Sequence, residues 1–189
     1  MINRREALSR VAIIMGGTVL GAEAFLTGCK TNTKGVTFSQ ADIDFLNEVG
    51  ETILPATDTP GAKAANVGAF MQTMVSDCYE AKDQEIFMNG MEELKFKASK
   101  AKMGKAFMEA SPEERTAFLT ELDKEAKEYQ QNKKKEDPTH YFTMMKQLTL
   151  SGLFTSKIGA TEVLRYVAVP GKYEGCVPYT KGEKAWATS

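Results

Sequence analysis

The sequence predicts an all-α domain, an irregular bundle of five or six helices with a long structured C-terminal loop. Three observations lead to this prediction. Apolar residues recur at helical spacing in one segment after another, no run alternates as a strand requires, and glycine and proline cluster among aromatic residues after residue 150. At 189 residues, of which 42% are apolar, the chain is long enough for one domain with its own core.

The N-terminus has the layout of a bacterial lipoprotein signal. Arg4 and Arg5 precede a short apolar stretch, which the tetrapeptide LTGC ending at Cys29 follows. This tetrapeptide resembles a lipobox, in which Cys29 is acylated and becomes the first residue of the mature protein. Arg4-Arg5 is similar to a twin-arginine export signal, although Ala7 stands where such signals usually carry Phe. The alternative is a transmembrane anchor, but spanning needs about 20 apolar residues and this run is interrupted by glycines and a glutamate.

These signals divide the chain into four predicted segments: a cleaved signal peptide (1–28), a lipidated tether (29–38), a helical domain (39–180) and a tail (181–189). The tether reaches at most about 25 to 30 Å when extended. We therefore expect the domain to lie close to the membrane, on the periplasmic side of the bacterial cell envelope. The formal charge of -1 provides no basic surface for nucleic acid, so we predict no nucleic-acid partner.

Cys78 and Cys176 remain once Cys29 carries the lipid. An even number of cysteines in an oxidising compartment favours a disulfide, so we predict that these two are bonded to each other. In the chain-entropy model a loop of this size stabilises the fold by about 4 to 5 kcal/mol, less any strain. The alternative is two buried free cysteines, since cysteine is among the most buried residue types.

The first half of the domain shows two helices separated by a shaped loop. Ser39 with Asp42 has the pattern of a helix start, and apolar residues follow at helical spacing until Pro55 ends the helix. A loop rich in proline, glycine and small polar residues comes next. A second amphipathic helix is predicted over about 64–79, with Cys78 on its buried face.

The second half contains three or four further helices. A weakly periodic helix is predicted over about 83–102, and its many lysines are explained as a solvated face. Ser111 opens the sequence SPEE, a strong start for a helix that ends in a charged linker before Pro138. A last long helix is predicted over about 139–154 and a shorter one over about 156–166.

Residues for catalysis or metal binding are scarce in this sequence. His140 is the only histidine, no Cys-x-x-Cys pair occurs, and no glycine-rich dinucleotide fingerprint follows a strand. We therefore predict no catalytic, cofactor-binding or metal-binding residues on this chain. Asp58 is explained as a cap for its own backbone or for the next helix, with a carboxylate ligand or catalytic base as the alternative.

Two regions carry a resemblance to a known family. The first is LPATDTPGA over residues 54–62, and the second, over 152–178, contains GLFTSKIGA, then LRY, then PGKYEGCVP. Together they resemble the gluconate 2-dehydrogenase subunit 3 family over roughly residues 38–179. The two motifs are specific enough to carry this assignment jointly.

The resemblance implies a small, non-catalytic subunit of a membrane-bound periplasmic dehydrogenase that oxidises sugars or sugar acids. In such complexes a large flavoprotein of the glucose-methanol-choline type holds FAD and transfers the hydride, and a cytochrome c can accept the electrons. The small subunit is expected to carry its folded partner through the twin-arginine pathway and to support its folding. The lipobox of this chain implies that it also anchors the complex.

We expect the contacts with the flavoprotein to come from the two shaped regions, since Gly/Pro-shaped loops rich in aromatic residues are suited to an interface. The expected contact residues are Thr57, Asp58, Thr59, Pro60, Gly61, Tyr166, Pro170, Tyr173 and Tyr179. The alternative is that these regions cover their own helices. Two other functions stay open: a free-standing lipoprotein or enzyme with a ligand site around Asp58, Arg165 and Glu174, and a structural envelope lipoprotein.

Overall fold

The structure is a computed structural model in which residues 36–169, 171–172 and 175–187 are described. Within these residues every regular element is helical, which confirms the predicted all-α irregular bundle. The six α-helices are α1 (Gln40–Ile53), α2 (Val67–Cys78), α3 (Ala81–Glu92), α4 (Ala98–Met103), α5 (Pro112–Asn132) and α6 (Tyr141–Thr155). Shorter helical turns are π-helical at Glu93–Lys97 and Gly159–Val163 and 3₁₀-helical at Phe107–Glu109. None of the described helices is both long and apolar enough to cross a bilayer.

The helix starts that the sequence marks with capping residues are confirmed. Ser39 accepts a hydrogen bond from the backbone N–H of Asp42 at 3.3 Å, and the Asp42 carboxylate accepts one from the Ser39 N–H at 2.7 Å. Ser111 and Glu114 make the same reciprocal pair at the start of α5, at 3.3 and 2.8 Å. Both boxes satisfy N–H groups that a helix leaves without partners.

The predicted third helix is divided in the structure. The π-helical turn Glu93–Lys97 separates α3 from α4, and the buried Ser99 hydroxyl donates a hydrogen bond to the Leu94 carbonyl inside it. Leu94 is fully buried whereas Phe96 is 49% exposed, because side chains two residues apart point to opposite sides of a helical turn. The short helix predicted over 156–166 is also smaller in the structure, where only the π-helical turn Gly159–Val163 forms.

The core is one cluster to which every described α-helix except α4 contributes buried apolar side chains, all of them between Phe38 and Leu153. Its largest fully buried side chains are Phe45, Phe87, Phe107, Phe142, Leu46, Met71, Met91, Leu94, Met145, Val49, Val67 and Val75. Phe45 and Phe107 meet edge to face with ring centroids 5.5 Å apart, the arrangement that aromatic pairs favour. Phe38 packs on Phe87 at 6.3 Å and so fixes the chain just before α1.

The bundle has two distinct ends, which we name after α1. At the α1 N-terminal end, the Ser76 hydroxyl donates to the Val36 carbonyl at 3.4 Å, and Lys95 forms an ion pair with Asp42. At the α1 C-terminal end, Leu54 donates its N–H to the Gly50 carbonyl at 2.8 Å and the next loop begins. The start of α2 lies against the side of α1 between Ile43 and Gly50, where an added Cβ on Gly50 would lie 2.5 Å from the Val67 side chain. The N-terminus of α1 and its C-terminus are about 20 Å apart, given 1.5 Å per helical residue.

The structure does not contain the predicted disulfide. Cys78 and Cys176 are both free, and both are exposed, so the alternative of two buried thiols does not hold either. Cys78 is the last residue of α2, one turn beyond Val75, and the helix passes the edge of the core there. Cys176 lies in the exposed C-terminal region. The helical spacing that placed Cys78 on the buried face did not account for this helix end.

His140 provides a test of this fold through pH. Its Nδ1 accepts a hydrogen bond from the Phe142 N–H at 3.2 Å at the start of α6, which only the neutral ring can do. Burial lowers the pKa of His140, and the charges of Glu125 and Glu93 oppose that shift only in part. The folded state therefore binds this proton less readily than the unfolded chain, whose histidine titrates near pH 6.5.

We expect the free energy of unfolding to be highest above about pH 6.5 and to fall as the pH is lowered through that value. His140→Asn keeps an N-cap acceptor but cannot titrate, so its stability should stay level between about pH 7 and pH 5.5. Urea denaturation of both proteins across this range measures the difference. Parallel pH profiles would contradict the assigned role, since His140 is the only histidine in the chain.

Candidate partner interface

The loop after α1, residues 54–62 and here called the first loop, is held at both sides by a single carboxylate. Glu51 accepts hydrogen bonds from the backbone N–H of Ala56 at 2.8 Å and of Lys63 at 2.9 Å, one on each oxygen. The loop closes on itself through a backbone bond from Ala62 to Leu54 at 2.9 Å. The carboxylate therefore acts as a clamp that fixes the shape of residues 54–62, which contain the first motif.

Gly61 is the residue that makes room for this clamp. A Cβ at this position would lie 2.5 Å from each carboxylate oxygen of Glu51 and 2.5 Å from the Ala56 nitrogen. Real Cβ atoms essentially never approach so closely, so a larger residue would push the carboxylate away from the loop. Gly61 is itself buried, and its expected contact with a partner is limited to its backbone.

The tip of the loop points outward. Thr57 and Asp58 are exposed, and Thr59 and Pro60 are partly exposed. Thr57 donates its N–H to the Thr59 carbonyl at 3.0 Å, which makes the tip a tight turn. The Asp58 carboxylate makes no hydrogen bond or ion pair with the described residues, so the cap predicted for it does not form. A rigid turn with an unpaired, solvated carboxylate is suited to contact with another molecule.

An ion-pair network fastens the next part of the loop to the bundle. Glu48 bonds both Lys63 and Arg115, with 2.9 Å between its oxygen and the Arg115 guanidinium. Hydrogen bonding from Lys63 lowers the pKa of Glu48 against the opposing effect of its burial. Arg115 also donates to the carbonyls of Phe107 and Met108 at 3.0 and 2.9 Å. The network thus joins α1, the loop and the start of α5.

The loop enters α2 through a second contact with α1. Asn47 donates to the Asn66 side chain at 3.0 Å and accepts from the Gly68 N–H at 2.8 Å. Asn66 has a φ of 51°, in the left-handed region where asparagine is tolerated better than most residues. The largely buried Asn47 amide therefore satisfies one of the N–H groups that the start of α2 leaves without a helical partner.

The second motif begins next to the end of the first. A Cβ on Gly152 of α6 would lie 2.9 Å from the Phe70 ring and 3.2 Å from the Val67 side chain, so α6 and α2 approach closely there. Val67 is only five positions after Ala62, the last residue of the first motif. Val67 also donates its N–H to the Ala62 carbonyl at 3.4 Å, so the two motif regions, far apart in sequence, approach each other at Val67.

The segment after Gly159–Val163 forms a loop that is closed at its base. Arg165 and Trp186 form a parallel bridge, with backbone hydrogen bonds from Arg165 to Ala185 at 2.8 Å and from Ala187 to Arg165 at 2.9 Å. The Arg165 guanidinium lies 3.9 Å from the centre of the Trp186 ring and also pairs with Glu183. The described part of residues 164–187, here called the C-terminal loop, thus returns to its starting point.

Exposed apolar side chains concentrate in and beside the C-terminal loop. Of the eleven large apolar side chains that are exposed among the described residues, eight lie from Leu150 onward. Tyr166 is 48% exposed and Tyr179 is 81% exposed, so neither covers the core in the way the alternative interpretation required of Tyr179. Such a concentration of solvent-facing aromatic and aliphatic groups is typical of an interaction surface.

Several predicted site residues cannot be placed. Pro170, Tyr173 and Glu174 lie outside the described residues, as do the signal and lipidation residues Arg4, Arg5 and Cys29.

The structure gives little support to a small-ligand site. Arg165 is engaged with Glu183 and Trp186, and no contact joins it to Asp58 within the described residues. A cleft of about 250 Å³ opens between α1, α5 and α6, and the sequence did not predict it. Its charged groups, Lys146 and Asp123, pair with each other at 2.6 Å. In the part of the chain that is described, no three His, Cys, Asp or Glu side chains are grouped as a metal site requires.

Comparisons with known proteins agree with the position of the two motifs. A family model described as gluconate 2-dehydrogenase subunit 3 matches residues 40–171. This range begins at the first residue of α1, includes the clamped loop and extends into the C-terminal loop. No curated protein and no solved structure gives a significant match to the chain.

Removal of the Glu51 clamp should loosen the first loop. Glu51→Ala leaves the N–H groups of Ala56 and Lys63 without their carboxylate partner, and we expect it to lower the free energy of unfolding by about 1 to 3 kcal/mol. Amide hydrogen exchange at Ala56 and Lys63 should accelerate as well. Glu85→Ala, on the exposed side of α3, is the matched control and should change neither measurement. Unchanged exchange at both amides in the Glu51 variant would contradict the clamp.

Proposed function

The chain belongs to the gluconate 2-dehydrogenase subunit 3 family, and from this premise we propose that it is the non-catalytic small subunit of a periplasmic, membrane-bound dehydrogenase of sugars or sugar acids. Its family is that of a subunit in a multi-subunit dehydrogenase. The partner in this proposal is a flavoprotein of the glucose-methanol-choline type, which holds FAD and carries out the oxidation. A cytochrome c is a further proposed partner that receives the electrons.

The observation that carries the proposal is the family match, which includes the whole first motif and the second motif as far as Gly171. A catalytic role for this chain would need convergent acid, base or nucleophilic groups. The described polar clusters instead serve the fold: Glu51 holds a loop, Glu48 and Arg115 join helices, and Asp123 pairs with Lys146 and Lys127. The part of the surface that these clusters do not use consists of a rigid turn and exposed apolar side chains, and we assign the binding function to it.

The geometry indicates how such a subunit would recognise its partner. The tip at Thr57 and Asp58 is held rigid by the clamp, so it loses little conformational entropy when it binds. Tyr166 and Tyr179 supply exposed aromatic surface, which contributes strongly to protein interfaces when it is buried. The proposed interface therefore combines a preformed polar turn with apolar anchors on the C-terminal loop.

Export and anchoring complete the proposal. Arg4 and Arg5 would direct the chain, together with the folded flavoprotein, to the twin-arginine pathway, and acylation of Cys29 would then hold the complex at the membrane. One acyl chain binds a membrane only marginally, whereas a bacterial lipoprotein carries two or three. The anchored complex would lie on the periplasmic side of the cell envelope. A chain that contributes signal, anchor and docking surface needs no cofactor of its own.

Purification of the tagged chain from gently solubilised membranes tests the partner assignment. We expect a stoichiometric flavoprotein with the absorption spectrum of FAD, and mass analysis would identify it. Tyr179→Ala and Asp58→Ala should each reduce the recovered flavin by about tenfold, as expected for truncation of an important interface side chain. Met108→Ala is the control, because it removes an exposed apolar side chain from the 3₁₀ turn without altering either motif region.

A colourless monomer from the native chain would overturn the proposed function. Full flavin recovery with Tyr179→Ala, under conditions where the native chain binds its partner, would contradict only the assignment of that residue.

The membrane anchor has its own test. Cys29→Ala should abolish incorporation of labelled palmitate and leave the signal peptide attached, because the acylated cysteine is the cleavage point of a lipoprotein. Replacement of both Arg4 and Arg5 by Lys should instead leave the flavoprotein in the cytoplasm, if the twin-arginine route is used. Cell fractionation and N-terminal mass analysis measure both outcomes. Palmitate labelling of the Cys29→Ala chain would contradict the lipoprotein assignment.

A further inference from the structure

We propose that the π-helical turn Glu93–Lys97 and the start of α4 form a docking surface for anionic phospholipid headgroups. The inference rests on the lipid anchor of the proposed function, which would place this end of the bundle next to a bilayer. It adds to that function a second, non-covalent contact between the folded domain and the membrane. Phe96, Lys97 and Lys100 are the residues that would make it.

The position of the turn follows from contacts at the α1 N-terminal end. Lys95, within the turn, pairs with Asp42, and its ammonium group lies 5.3 Å from the centre of the Phe45 ring. Asp42 in turn caps the helix at Ser39. The turn is therefore fixed beside the point at which the chain enters α1.

The length of the preceding chain limits how far this end can lie from an acylated Cys29. Seven residue steps separate Cys29 from Val36, the first described residue. At no more than about 3.6 Å for each step, they span at most ~25 Å. The tether would consequently keep the α1 N-terminal end within about 25 Å of the membrane, and the turn beside it would be within reach of the headgroups.

The charges at this end divide the lysines into two groups. Lys95, Lys102 and Lys105 are paired with Asp42, Glu121 and Glu114, respectively. Lys97 and Lys100 are exposed and form no ion pair among the described residues. They lie three positions apart and so can face the same way. Glu93, also exposed, is the one acidic residue in the stretch from Glu93 to Met103, so beyond the ion pairs this surface keeps a net charge of about +1. That charge favours an anionic surface over a neutral one.

Phe96 supplies the apolar component of the proposed contact. It is 49% exposed between two lysines, although Leu94, two residues earlier, is fully buried. The buried Ser99–Leu94 hydrogen bond holds the π-helical turn in this form. Aromatic rings flanked by basic residues suit the headgroup region, because the ring enters the interface while the ammonium groups stay with the phosphates.

The C-terminal loop differs from the Glu93–Lys97 turn in the role of its basic groups. Two of its basic groups serve the closure of the loop: Arg165 pairs with Glu183, and Lys184 donates to the Glu162 carbonyl. The loop also starts from α6, whose C-terminal half packs against Val67 and Phe70 of α2. In the proposed function, its apolar surface serves the protein partner.

Vesicle binding by the chain alone tests the proposal without the flavoprotein. A chain that starts at position 29 with Cys29→Ser lacks the lipid but keeps every described core residue. We expect it to sediment with vesicles of phosphatidylglycerol and phosphatidylcholine, to be released by salt, and to leave pure phosphatidylcholine vesicles unbound. Lys97→Gln with Lys100→Gln should weaken binding by about 25-fold, about fivefold for each lysine. Lys133→Gln with Lys134→Gln, in the linker after α5, is the matched control.

The single tryptophan allows the orientation to be measured. Trp186 lies in the C-terminal loop, so its emission should not change when the native chain binds vesicles. Phe96→Trp combined with Trp186→Phe moves the reporter to the turn, and its emission should shift to the blue as the ring enters the interface. Phe96→Ala should lower vesicle affinity by about tenfold while the chain still co-purifies with its partner.

Three results would overturn the proposal: no binding to anionic vesicles, equal binding by the Lys97/Lys100 variant and its control, or a blue shift of Trp186 in place of the reporter at position 96. The last result would assign the membrane contact to the C-terminal loop. None of these results bears on the subunit role, because recovery of the flavoprotein is measured separately, but the last one would remove the C-terminal loop from the proposed partner interface. Conversely, a chain that docks on vesicles but recovers no flavoprotein would refute the subunit role and leave the docking surface standing.

Discussion

The arrangement of this protein depends on a row of polar acceptors along α1. Asn47, Glu48 and Glu51 follow each other at positions i, i+1 and i+4, so they form one side of the helix, while Phe45 and Val49 face the core. Each of these three side chains makes hydrogen bonds that fix the first loop or the start of α2 to the bundle. A loop packed against a helix must satisfy its backbone groups somewhere, and here side chains of α1 satisfy them. Hydrogen bonds to charged acceptors contribute more to stability than hydrogen bonds to neutral acceptors, and two of these three side chains, Glu48 and Glu51, are carboxylates.

The same row sets the relation between the two motif regions. Because Asn47 holds Asn66 and Gly68, the start of α2 is fixed against α1, and Val67 then lies against both Gly50 and Gly152. The position of α6 and of the C-terminal loop that follows it is thereby tied to the first loop. Changes in α1 that contact neither motif surface should therefore still alter their relative position.

Sequence reasoning was most successful where structure is decided locally. The helix starts at Ser39 and Ser111 depend on side chains three residues apart, and both were predicted. The π-helical turn was not, because it depends on burial of Leu94 and Ser99 by distant parts of the chain. The Glu51 clamp was missed for a related reason: an acidic residue near a helix end has many uses, and only the loop's return to α1 selects this one. The prediction that Cys78 is buried was wrong for the opposite reason. It applied the helical spacing of apolar residues to the last residue of α2, which lies beyond the buried part of that helix.

The two ends of the bundle offer a physical reason for combining an anchor with a docking subunit. If the α1 N-terminal end faces the bilayer, the clamped loop, which begins at the other end of α1, lies about one helix length, roughly 20 Å, farther away. A flavoprotein bound there would face the aqueous side, where soluble sugars are found. Partner and membrane would then not compete for one surface, since Phe96, Lys97 and Lys100 lie beside the start of α1 and the polar turn follows its end. A tether alone would allow the domain to rotate freely above the bilayer. A second, weak contact at the turn would restrict that rotation and hold the partner's side outward.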